Sequence, residues 1–180
     1  MMGPGRSGAT WYALLWSDDT IQQALLYLSV GAQPLWSPWS LGEVFMDRQE
    51  AIDFLLDHYE NPRNRGSLEH PDIDQTGGNP GCADVITIHA HFDQDGKIDA
   101  ISWDGEGCTI SRAAASYVTE IAQGKTMDEI EEMSFEDLID NLGRELVVTR
   151  PTCATLALGT LKRGVHEFSM HKRAENSEEK

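Results

Sequence analysis

Positive charge is scarce in this sequence. Lys and Arg number 14 against 30 Asp and Glu, a formal net charge of −16 over 180 residues. A surface of that sign repels phosphate backbones, which argues against nucleic acid as a partner. Cysteine is scarce as well, with three in the chain. Three cannot all pair, and a secreted disulfide framework carries an even, denser set, so the thiols read as free in a reducing compartment. Long apolar runs are missing. No stretch reaches the roughly 20 residues a bilayer span requires, and no apolar centre with a small-residue cleavage site marks a secretory signal. The expected setting is cytoplasmic, without a membrane partner. No internal repeat is visible. With 40% hydrophobic residues, the length suits one globular domain with some tail.

Residues 1–45 differ in composition from the rest. Trp11, Trp16, Trp36 and Trp39 lie here beside Gly3, Pro4, Gly5, Gly8 and Pro34, and Asp18-Asp19 interrupts short apolar runs. Thr20 to Val30 has the pattern of one helix, with Ile21, Leu25 and Leu28 on a side. The segment is expected to be either a poorly ordered extension or a non-native upstream read-through, Met46 being the working start in the second case.

From Met46 the patterning sharpens. Asp47 and Glu50 form a capping box, and Ile52, Leu55, Leu56 and Tyr59 recur on one face of a helix that Asn61-Pro62 stops. His58 on that helix reads as a surface or satisfied histidine. Polar loop follows to Gln75, with one short strand near Ile73. Val85 to Phe92 alternates as a strand, Ile86, Ile88, Ala90 and Phe92 on one face and Thr87, His89 and His91 on the other, where both histidines read as solvated. Asp93-Gln94-Asp95-Gly96 is a hairpin turn, and the parity of Ile98, Ile101 and Trp103 slips once on the return strand, predicting a bulge. A strong helix with Ile110, Ala113, Ala114, Tyr117, Val118 and Ile121 as its stripe ends at Gly124. Thr126/Glu129 and Ser134/Asp137 open two short helices closing near Gly143. Pro151 opens a last helix with Cys153, Leu156, Ala157, Leu161, Val165 and Phe168 along one side. From about Ser169 the chain reads as a charged, frayed tail.

Chemistry concentrates at three element ends. Gly77-Gly78-Asn79-Pro80-Gly81-Cys82-Ala83-Asp84 reads as a loop rather than regular structure, delivering a Cys-x-Asp pair at the head of a strand. Two more glycines, Gly105 and Gly107, lead to Cys108 at a helix N-terminus, where free N–H groups and the dipole stabilise a thiolate. Cys153 sits at the head of the last helix and is expected to be exposed there. Three sulfurs and one oxygen at element ends read as one tetrahedral metal site. The plainer alternative is three unrelated buried cysteines acting as small hydrophobes.

Four stretches together resemble a known family. Tyr59-Glu60-Asn61-Pro62-Arg63-Asn64-Arg65-Gly66, Gly77 to Asp84, Asp104-Gly105-Glu106-Gly107-Cys108-Thr109-Ile110-Ser111 and Arg150-Pro151-Thr152-Cys153-Ala154-Thr155-Leu156-Ala157 are similar, in order, to motifs of the U-type iron–sulfur cluster assembly scaffolds, the NifU N-terminal-like proteins with their IscU and SufU branches. The resemblance covers residues 46–168. It implies an α+β fold, a small antiparallel sheet of about three strands packed against helices, and leaves 169–180 as the tail. It also implies Cys82, Asp84, Cys108 and Cys153 as metal and cluster ligands. The partners implied are a cysteine desulfurase that supplies persulfide sulfur and acceptor proteins that take the cluster. The cofactor implied is a transient [2Fe-2S] cluster, or Zn2+ as in the SufU branch. Ala83 stands where the family has glycine, a change expected to stiffen the loop. Thr152 replaces the histidine of the IscU branch, and the Leu-Pro-Pro-Val-Lys run gripped by its chaperone is absent at Leu146 to Arg150. Arg150 resembles the SufU pattern, although the span from Cys108 to Cys153 lacks the SufU insertion. The expected branch is Suf-type.

The expected role is therefore a non-enzymatic scaffold, with Cys82 as sulfur acceptor and Cys153 as its rival, and Asp84 as a hard oxygen ligand that keeps the cluster labile. The enzyme-class alternative is a zinc-dependent sulfurtransferase partnering a SufS-type desulfurase, which the missing histidine and Arg150 favour. A structural zinc module is the third reading; such sites are usually closed by short-spaced ligand pairs, which a single Cys-x-Asp unit with two scattered cysteines fits poorly.

Overall fold

A capping box opens the first helix. The Asp47 carboxylate accepts the N–H of Gln49 and Glu50 at 2.8 and 2.9 Å, the Glu50 carboxylate accepts that of Asp47 at 2.9 Å, and α1 runs Arg48–Glu60. The computed structural model of the protein describes residues 47–178, so the helix expected over Thr20 to Val30, the character of residues 1–45 and the Met46 start all lie outside the described residues. Helix α1 leans on α2 (Thr109–Ala122). Its buried line is Ala51, Leu55 and His58, and Leu56 is 42% exposed, so the apolar face is turned from the expected one. The reason lies across the interface, where the Ser116 hydroxyl takes up the His58 ring at 2.9 Å.

Three antiparallel strands, β1 (Ile73–Asn79), β2 (Asp84–Phe92) and β3 (Ile98–Glu106), form the sheet in the order β1-β2-β3. The expected alternation on β2 is met: Asp84, Ile86, Ile88, Ala90 and Phe92 are buried. The bulge is where parity placed it. Ala100 stands opposite His91 and Ile98 opposite Phe92, leaving Asp99 as the extra residue. The motif around Arg63 covers the free edge of β3: Trp103 donates its N–H to Asn64 O (2.9 Å) and its indole N–H to Arg63 O (2.8 Å), and accepts the Gly66 N–H (2.8 Å).

The expected loop over Gly77 to Asp84 is largely corrected. Gly77, Gly78 and Asn79 pair with Ile86, Val85 and Asp84, so the short strand near Ile73 continues through them and only residues 80–83 turn. Ladder hydrogen bonds supply what glycine's propensity does not, and a Cβ on Gly77 would collide with Thr160 Oγ1 of the last helix. That close approach is what the glycine is for.

Helices α2 and α6 (Pro151–Glu178) pack on each other and on the sheet, with α6 against β1 and β2 and α2 against β3. Ser111, Ala115, Ser116, Thr119 and Ala122 are buried along with Ala113, Ala114 and Val118, so α2 is enclosed more widely than its predicted stripe. Between them run α3 (Met127–Glu132), opened by the Thr126/Glu129 capping box, α4 (Phe135–Asn141), capped by Ser134, and the unpredicted turn of helix α5 (Arg144–Val147). Helix α6 does not fray at Ser169; it continues to Glu178. Phe168 stacks on Phe92, ring centroids 5.4 Å apart, which fastens the helix at the point where a tail was expected. The α+β architecture with a three-stranded antiparallel sheet is as expected. Among the described residues no helix is long and apolar enough to cross a membrane.

Candidate metal centre

The pairing of Asn79 with Asp84 closes the β1–β2 connection into the turn of residues 80–83 at one end of the sheet. Alternation on both strands then directs side chains. Asn79 shares the buried face of β1 with Ile73 and Gly77, and Asp84 that of β2 with Ile86. Both polar side chains are thereby carried inward, 9% and 2% exposed. Cys82 is exposed on the turn.

The loop after β3 comes down on Asp84. Cys108 occupies the N-cap position of α2 without a side-chain cap bond, and its backbone N–H donates to Asp84 Oδ1 at 3.0 Å. Gly107 permits that approach, since a Cβ there would collide with Ser111 Oγ and lie 3.1 Å from the Asp84 carboxylate. Asp84 Oδ2 is buried and, among the described residues, has no hydrogen-bond partner. An ionised carboxylate oxygen left dry and unpaired is costly, and a cation removes the cost.

Cys153 enters from the first turn of α6. It is 1% exposed, not at an exposed head as expected, because Asn79 and the Cys82 turn fold over it. Its thiol donates to Cys82 Sγ at 3.3 Å and accepts Asn79 Nδ2 at 3.5 Å. Burial pushes the Cys153 thiol well above its ordinary pKa, with contacts to Cys82, Asp84 and Cys108 adding to the rise. A metal bound there has to displace that proton. Ligand atoms of Cys82, Asp84 and Cys153 all lie within 4.8 Å of one another. Cys108 stands alongside, through its bond to Asp84 and its thiol's contact with Cys153, outside that mutual set. Soft sulfurs with one hard oxygen suit zinc or iron.

The remaining candidates fall elsewhere. Arg150 serves α6 with its backbone, its carbonyl accepting the N–H of Cys153 at 3.1 Å, and the residue is exposed. His91 pairs with Asp99 at 2.7 Å and His89 lies 3.4 Å from Asp74, on the sheet face away from the site. His58 is a buried, hydrogen-bonded core histidine. The residue that sequence reasoning missed is Asn79. Its signal was available, because the period of β2 extended backwards across a tight turn puts Asp84 and its partner inward.

Fold and site together define a class: small α+β domains that gather cysteine sulfurs and a carboxylate at one end of a three-stranded antiparallel sheet. The chain belongs to the family of NifU-like N-terminal domains, whose model matches residues 51–175. It is 34% identical over 116 residues to the iron–sulfur cluster assembly scaffold protein IscU 1 of Archaeoglobus fulgidus, covering 64% of this chain and 74% of that protein. It is 31% identical over 123 residues to IscU of Escherichia coli K12, another protein of that name, covering 67% of this chain and 94% of the relative. Among solved structures, a putative scaffold protein for the SUF system from Fervidobacterium islandicum AW-1 aligns with TM-score 0.53 and 26% identity, over 63% of this chain and 94% of that one.

Proposed function

We propose that this chain is a scaffold for iron–sulfur cluster assembly. Iron and sulfide are its substrates, gathered by Cys82, Asp84, Cys108 and Cys153 and passed to acceptor proteins as a finished cluster. One observation carries this function: a buried, unpaired carboxylate oxygen, Asp84 Oδ2, beside cysteine sulfurs, in a family whose named relatives are assembly scaffolds. Three thiolates and one carboxylate suit a [2Fe-2S] cluster, which takes four protein ligands.

Cys82 is the sulfur acceptor, since it is exposed while Cys153 is enclosed. Its thiolate attacks the outer sulfur of a persulfide carried by a cysteine desulfurase. A new S–S bond forms on Cys82 as the donor's S–S bond breaks, and the donor cysteine leaves as thiolate; two electrons from an external dithiol reductant, itself oxidised to a disulfide, then release that sulfur as sulfide and return Cys82 as thiolate. Asp84 is the weakest ligand, which keeps the cargo transferable. Replacing it by Ala (Asp84→Ala) is expected to slow loss of the cluster to a chelator; an unchanged rate sinks that role. The branch proposed is Suf-type, on Arg150 and Thr152.

Anaerobic reconstitution with ferrous iron, cysteine, a cysteine desulfurase and a dithiol reductant tests the function. Visible absorption with iron and acid-labile sulfide in equal amounts is expected. A colourless protein that retains zinc through the same treatment overturns it in favour of a zinc-dependent sulfur shuttle.

A further inference from the structure

Asn79 reaches the site through three of its polar groups. Its side-chain Oδ1 accepts the Gly81 N–H at 3.1 Å, and its backbone carbonyl accepts the Cys82 N–H at 3.1 Å, so one residue fixes the two middle residues of the turn that carries Cys82. Its Nδ2 donates to Cys153 Sγ at 3.5 Å, across to helix α6. Residues 79 and 153 meet only because β1 and α6 approach at Gly77 and Thr160. The side chain is nine-tenths buried, so water does not compete for these bonds. As an amide it donates to a sulfur rather than binding a metal itself.

We propose that Asn79 is the positioning residue of the metal centre, one clamp that sets the distance between Cys82 and Cys153 and withdraws electron density from the Cys153 sulfur once that sulfur is a metal-bound thiolate. The proposal rests on the metal-site reading above. An N–H···S bond lowers the energy of the sulfur lone pairs, weakens the sulfur as a donor and shifts the properties of the metal it holds. The two parts of the role act oppositely on affinity: the clamp raises it by fixing the ligand spacing, the N–H···S bond trims it by weakening the donor, and the clamp is the larger effect.

Cobalt(II) titration of the full-length chain tests this, because a thiolate-to-cobalt charge-transfer band reports the sulfur's energy directly. Asn79→Ser keeps an oxygen for the Gly81 N–H but is too short to reach Cys153; Asn79→Ala loses both contacts. In both variants the band is expected to move to longer wavelength. Cobalt affinity, measured against a chelator, is expected to fall roughly 10- to 100-fold in Asn79→Ala and by less in Asn79→Ser. A band at the wild-type wavelength in Asn79→Ser overturns the sulfur contact, whatever the affinity does, and wild-type affinity in both variants overturns the clamp. If Asn79→Ala does not fold, the Ser variant alone decides. A wild-type protein that shows no thiolate-to-cobalt band at all instead removes the metal site, and Asn79's role with it.

Discussion

Ala83 sits between two proposed ligands with a backbone φ of 56°, in the left-handed region that side-chain-bearing residues avoid. The conformation is forced from both sides, since Asn79 must pair with Asp84 while Cys82 reaches over to Cys153. Where the resembled family has glycine, this chain accepts a steric penalty of about 1 kcal/mol or more. Ala83 is exposed, so its methyl group contributes no packing in return. Ala83→Gly is therefore expected to raise stability by up to about 1 kcal/mol, the relief of strain outweighing the extra freedom of the unfolded chain, read as a higher urea midpoint at unchanged m-value. A lower midpoint refutes this. The substitution was legible in the sequence as a departure from the family's glycine. Its φ was not, because φ there depends on the pairing of two strands rather than on the turn's own residues. Cys153 shows the same limit. Its place at a helix head was readable from Pro151, but its burial comes from Asn79, a residue 74 positions away in sequence.

Among the elements, those that announce their own beginnings were readable. Capping groups at Asp47, Thr126 and Ser134 opened α1, α3 and α4 as expected, and strict alternation gave β2 its buried face. Elements defined by distant partners were not. Strand β1 lacks strand-forming residues at Gly77 and Gly78, and it exists because β2 pairs with it on one side while α6 lies against its face. Gly164 repeats the theme, since a Cβ there would collide with Ile73 Cγ2. Through these contacts α6 is held close enough to β1 for residues 79 and 153 to bond. Gly77→Ala is expected to destabilise the protein by about 1–3 kcal/mol, the usual range for an extra carbon in a full interior, because Thr160 Oγ1 is fixed by its 2.8 Å bond to Leu156 O. Cobalt affinity is expected to fall with it. Adding Thr160→Ala makes room and is expected to recover most of both losses, so urea unfolding and cobalt titration of the two single variants and the double form a cycle. Strictly additive effects refute the contact.

At the scale of the whole molecule, α2 joins the site to the core. Its N-terminus presents Cys108 to Asp84, and further along Ser116 Oγ bonds both the His58 ring (2.9 Å) and the Arg63 N–H (2.8 Å). The hydroxyl accepts the Arg63 N–H and pairs with His58 Nδ1, the donor there being set by the tautomer of the ring. Burial lowers the His58 pKa from its ordinary 6.5, and the Arg63 guanidinium adds to the fall. The folded state therefore binds this proton less readily than the unfolded chain. Stability is present above the unfolded value and is lost as pH falls below about 6.5, at no more than about 1.4 kcal/mol per pH unit for one group. His91 acts with the opposite sign: the Asp99 hydrogen bond raises its pKa, so its contribution holds at low pH and disappears as pH rises through the raised value. The formal charge of −16 counts the six histidines as neutral, so it becomes less negative as pH falls from 7 to 5, and the easing of self-repulsion works against the His58 effect. Urea unfolding of the metal-free protein at pH 7.0, 6.0 and 5.0 is expected to show falling stability. In His58→Gln, which keeps a polar partner for Ser116 but cannot titrate, that fall is expected to shrink, while in His91→Gln it is expected to steepen. A slope unchanged by His58→Gln would mean that acid destabilises this fold through groups other than the buried imidazole.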